Sequence, residues 1–122
     1  VIAKISGFED EFRLKKGSDV QKLIRSAKDA ILGDELMKKI EKIVLYGSAA
    51  ENKLSLQSDI DIAVKFSKIS LQEATLFRKR IMGKINNKID LQVYNHLPAK
   101  IQAEIDGKGK VIWQNADKGQ DR

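Results

Sequence analysis

The sequence predicts an α/β (α+β) domain: a small mixed β-sheet with helices packed on one face. Three observations carry this reading. Asp59 to Phe66 and Ile89 to Tyr94 alternate apolar and polar residues with the period of a half-buried strand. Ile43-Val44-Leu45-Tyr46 is a short apolar run rich in β-formers and ended by Gly47, which reads as a buried central strand. The segments between them have helical spacing, so the order is helix, strand, strand, helix, strand, helix.

The elements follow in chain order. Ser18 and Gln21 have capping-box spacing, and Val20, Leu23, Ile24, Ala27 and Ile31 follow on one helical face, with Gly33 as the stop. A short helix from Asp34 to Lys39 precedes the first strand. In the second strand Ile60, Ile62, Val64 and Phe66 point one way, and Asp59, Asp61, Ala63 and Lys65 the other. Ser70 with Glu73 forms a second capping box, opening a helix whose buried face is Leu71, Ala74, Phe77, Ile81 and Ile85. Ile89, Leu91 and Val93 alternate with Asp90, Gln92 and Tyr94 in the third strand. Pro98 marks a helix start, Gly107 its end, and Val111-Ile112-Trp113 an edge strand. Residues 1–17 form an extension without a clear pattern, because Gly7 weakens the stripe of Ile5, Phe8 and Phe12. Residues 18–114 make the domain, and 115–122 a polar tail expected to fray.

Composition bounds the function. A chain of 122 residues, 42% hydrophobic and 33% charged, has room for one folded domain. No apolar run approaches the ~20 residues that span a bilayer, so no membrane partner is expected. The first residues mix Lys4, Glu9, Asp10, Glu11 and Arg13 into the apolar ones, unlike a signal peptide, and a cytoplasmic location is expected. The absence of cysteine removes disulfides, thiolate metal sites and cysteine nucleophiles together. The net charge of +6 attracts polyanions, but the lysines are scattered as on a solvated surface, and a nucleic-acid partner is not expected. Dinucleotide-binding and P-loop glycine patterns are both absent.

The chemistry gathers at three carboxylates. Asp59 and Asp61, two apart on a strand, leave the same face with Cα atoms roughly 6–7 Å apart. Carboxylates that close repel unless a cation lies between them, and a pair of Mg²⁺ ions about 3.5–4 Å apart, with their preference for hard oxygen ligands, fits that gap. Asp90, on the polar face of the next strand, supplies a third carboxylate. Gly47-Ser48 follows the first strand, where glycine permits close approach to a ligand and Ser48 adds a hydroxyl and an N–H suited to phosphate. His96, the only histidine, reads as a surface or capping residue, and Phe77 and Trp113 as core.

Gly47-Ser48, ten residues, then Asp59-Ile60-Asp61 resembles the signature of the DNA polymerase beta-like nucleotidyltransferase superfamily. Four fixed positions at that spacing arise by chance in about one chain per thousand of this length. Leu45-Tyr46-Gly47-Ser48-Ala49-Ala50 and Ser58-Asp59-Ile60-Asp61-Ile62-Ala63-Val64 extend the resemblance, which is closest to the minimal nucleotidyltransferases (MNT), often antitoxins of HEPN-domain toxins. It implies that Asp59 and Asp61 bind both Mg²⁺ ions (Mn²⁺ substituting), and that Asp90 binds the catalytic metal and helps deprotonate the attacking hydroxyl. Gly47 and Ser48 would contact the phosphates of ATP. It further implies AMP transfer to a hydroxyl of a HEPN-type partner protein. An antitoxin acting by contact alone and a transferase with a small acceptor such as an aminoglycoside are the alternatives. One departure stands out: Glu51 and Asn52 occupy positions where the family commonly has arginine and glycine, with Lys53 beside them.

Overall fold

The computed structural model describes residues 15–47, 50 and 59–116. Its elements are α1 (Lys15–Leu32), β1 (Ile40–Tyr46), β2 (Ile60–Phe66), α2 (Leu71–Met82), β3 (Ile89–Val93), α3 (Ala99–Lys108) and β4 (Lys110–Gln114), with 3₁₀ turns at Met37–Lys39 and Tyr94–His96. The four strands form one sheet in the order β3-β2-β1-β4. β1 pairs antiparallel with β2 and β4, whereas β2 and β3 run parallel. The mixed sheet is as expected, with β1 inside it and β4 at an edge.

Alternation builds the main core. Ile60, Ile62, Val64 and Phe66 of β2 and Ile89, Leu91 and Val93 of β3 are all buried on one face, beside Ile43 and Leu45 of β1. Ile24, Ala27 and Ile31 of α1, and Ala74, Phe77 and Ile81 of α2, cover that face at the three-to-four-residue spacing of a helical stripe. At its centre the rings of Phe66 and Phe77 meet edge-on, 5.1 Å apart. Trp113 packs against this core, as its sequence context indicated.

The opposite face holds the main surprise. Ala63, read as the solvent side of β2, is fully buried, because α3 lies over it and packs Ile105 against Val44 and Ala63. Two helices thus share one face, and the short α3 covers part of the other. Gly109 allows the close return into β4: a Cβ there would run into the Ile105 carbonyl and Val44 Cγ1. Gly107, expected to end α3, lies inside it, one residue before the end at Lys108.

Several boundaries differ from the sequence reading. α1 begins at Lys15, so Ser18 lies within the helix rather than at its cap. Lysines at 15 and 16 are good helix formers and extend the element upstream. Gly33 ends it, its N–H donating to the Asp29 and Ala30 carbonyls. The expected helix from Asp34 to Lys39 is only a 3₁₀ turn over its second half. Asp34 instead turns inward: its carboxylate receives two hydrogen bonds of 2.8 Å from Arg80 and one of 3.0 Å from the Leu36 N–H, tying the end of α1 to α2. The Ser70–Glu73 capping box forms as expected. Leu71, at the first position of α2, is 68% exposed, since no element among the described residues covers that turn. Asn115 continues the sheet, its N–H donating to the Glu41 carbonyl at 2.9 Å, so the polar segment after β4 is tied down at its start. No helix among the described residues is long and apolar enough to cross a membrane.

Candidate active site

β2 and β3 run parallel with Asp61 directly opposite Asp90, so their side chains leave the same face as neighbours. That face is the one α3 partly covers. Both side chains are half-buried at the end of the sheet where β1 ends. Burial pushes the Asp61 carboxyl up to about 6, and the charges of Asp90 and Asp59, a hydrogen bond to Asp90 and the charge of Glu104 add to the shift. Asp90 is held from the other side by Gln92, whose Nε2 donates to Asp90 Oδ1 at 3.0 Å.

Gly47 closes the end of β1 at a positive φ of 67°. A Cβ there would stand 2.6 Å from Asp61 Oδ2, closer than any real contact. The sequence suggested a glycine for close approach of a ligand; the structure gives it a different reason, the positive φ and the Asp61 carboxylate beneath the turn. Tyr46, opposite Asp61 in the β1–β2 register, has its phenol pushed up to about 12 by burial and by the charges of Asp61, Asp90 and Glu104, with Arg78 acting in the opposite sense.

The three predicted carboxylates do not come together equally. Asp61 and Asp90 form the close pair, and exposed Asp59, immediately before β2, acts on Asp61 through its charge. Among the described residues no three carboxylate or imidazole side chains close into a ready cation cage. The pair nevertheless fits a divalent cation chemically: hard oxygen donors whose mutual repulsion a cation would relieve. Ser48, Glu51, Asn52 and Lys53 lie outside the described residues. His96 is exposed.

Sequence reading passed over four side chains of this region. Gln92 was legible, being two residues from Asp90 on the same strand face. Tyr46, Arg78 and Glu104 were not, since the β1–β2 register sets Tyr46 opposite Asp61 and only the packing of α2 and α3 on the sheet brings the charges of Arg78 and Glu104 near.

Comparison with known proteins bears on family and fold. Residues 14–118 match the family "Polymerase beta, Nucleotidyltransferase". The chain is 38% identical over 77 residues to "Putative protein adenylyltransferase MJ1547" of Methanocaldococcus jannaschii, covering 63% of this chain and 58% of that protein's length. In fold it is similar to a toxin–antitoxin crystal structure with AMP-PNP (TM-score 0.58, 19% identity, 75% of this chain and 74% of the other). A crystal structure of the toxin–antitoxin MntA-HepT is also similar (TM-score 0.51, 20% identity, 80% and 72%). With the family match spanning nearly all of the described sheet and helices, this chain belongs to the polymerase beta nucleotidyltransferase family.

Proposed function

We propose that this chain transfers AMP from ATP to a hydroxyl of a partner protein, as the MNT antitoxin of a HEPN-type toxin. The observation that carries the reading is the Asp61–Asp90 pair, set in register beneath the positive-φ turn at Gly47. Asp59, Asp61 and Asp90 would hold Mg²⁺, which when bound neutralises the triphosphate and the carboxylates together. Gly47 and Ser48 would contact the phosphates. Asp90, fixed by Gln92, accepts the proton of the attacking hydroxyl. The hydroxyl oxygen bonds to the α-phosphorus, the bond to the bridging oxygen breaks, and pyrophosphate leaves.

The family match, the adenylyltransferase name of the relative and the toxin–antitoxin context of the structural neighbours support this reading. A partner that brings its own surface suits the face beside Asp90, because a small acceptor must be caged to be held in line. The test is intact-protein mass spectrometry of the product of the adjacent gene after mixing with this chain, ATP and Mg²⁺. Gain of one or more AMP masses, lost on omission of Mg²⁺, is the expected result. A second reading, an antitoxin acting by contact alone, is favoured by Glu51, an acidic residue close in sequence to the phosphate turn. Inhibition of the neighbour without mass gain selects it.

A further inference from the structure

Beside the free edge of β3 runs a cavity of about 180 Å³, walled by Leu71, Thr75 and Arg78 of α2, by Gln92 of β3, and by His96 and Leu97 beyond it. Two features make it more than a surface crease. The first is Arg78. It is half-buried, and its Nε donates to the carbonyl of Leu91, the residue after Asp90, at 2.9 Å. Among the described residues it has no carboxylate partner, in contrast to Arg80 two residues on, which is engaged by Asp34. Such a guanidinium is pinned by one nitrogen and keeps its remaining donors for an anion, which it binds in a fork. The second is Gln92, which lines the cavity and also holds the Asp90 carboxylate. The cavity and the reacting face are therefore joined by a single side chain.

We propose that this cavity is the docking subsite for the acceptor polypeptide, taking an acidic side chain of the partner on Arg78 while the partner's hydroxyl lies at Asp90. The inference rests on the transferase reading above and adds to it a specificity element. Arg78 meets β3 at Leu91, one residue past Asp90, so an acid held on it lies within a few residues of the hydroxyl. Leu71, exposed at the rim, gives the segment an apolar contact, and the chain's net charge of +6 favours an acidic visitor.

Two synthetic peptides test this: Gly-Glu-Glu-Tyr-Glu-Glu-Gly, with acids on both sides because the direction of the segment is open, and the same peptide with lysines in place of the acids. Binding is read by isothermal titration calorimetry, and transfer by mass spectrometry with ATP and Mg²⁺. The acidic peptide should bind at least tenfold more tightly than the basic one, and Arg78→Glu should reverse that preference while Arg78→Lys retains it in weakened form. Equal binding of the two peptides, no binding of either, or a preference unchanged in Arg78→Glu, overturns the inference, whatever the transferase activity. Binding that depends on Arg78 without AMP transfer to any acceptor leaves the subsite standing and overturns the transferase reading. ATP affinity in Arg78→Gln separates the remaining possibility: a tenfold loss assigns the arginine to the nucleotide and overturns the acceptor role.

Discussion

Asp61 and Asp90 face each other across the parallel β2–β3 register, and the turn at Gly47 passes so close to Asp61 that a Cβ there would displace the carboxylate. Two acids side by side, with burial raising one of them to about 6, are a cost to the metal-free fold. Asp61→Asn should therefore raise the melting temperature of the EDTA-treated protein. The gain should be larger at pH 8 than near pH 4.5, where the native Asp61 keeps its proton: a raised carboxyl value means stability is lost as pH climbs through it. The same substitution should abolish AMP transfer. A large fall in melting temperature would show that Asp61 supports structure instead.

Gly47→Ala places a Cβ at positive φ against the Asp61 carboxylate. The conformational cost alone is about 1–2 kcal/mol, and displacement of Asp61 adds to it. Urea denaturation should show a loss of at least that size. Pairing it with Asp61→Ala should recover part of the loss, since the second change removes the obstructing carboxylate.

Asp34 receives a two-pronged hydrogen bond from Arg80 and is otherwise enclosed, with 2% of its side chain exposed. Asp34→Ala leaves Arg80 without its partner and the Leu36 N–H uncapped, and should cost about 2–3 kcal/mol in urea denaturation. The hydrogen bond from Arg80 holds the Asp34 carboxyl below the usual carboxylate range. Its contribution is thus present above about pH 4 and lost as the pH falls through the lowered value, so the mutant's deficit should shrink in acid.

Phe77 is fully buried against Phe66. Phe77→Ala should cost about 3–5 kcal/mol, enough to populate unfolded chains at ordinary temperature. Phe77→Leu should recover most of that, which thermal melts of the two variants will resolve.

The strands and their faces were legible because alternation is a local property: whether Ile62 or Asp61 meets the core follows from a period of two along one strand. The Ser70–Glu73 cap was legible for the same reason, since both partners lie within one helical turn. The aspartates that carry the candidate chemistry also announced themselves by spacing. What only the tertiary structure decided depends on contacts between segments far apart in the chain. Burial of Ala63 required α3 to lie over it, and Leu71, placed on the buried face by its spacing, is exposed because no element among the described residues covers it. The inward turn of Asp34 required Arg80, 46 residues away, to arrive beside it. The parallel register of β2 and β3, which sets Asp61 against Asp90, also had to wait for the fold: alternation fixes which face a side chain takes, not which residue stands opposite.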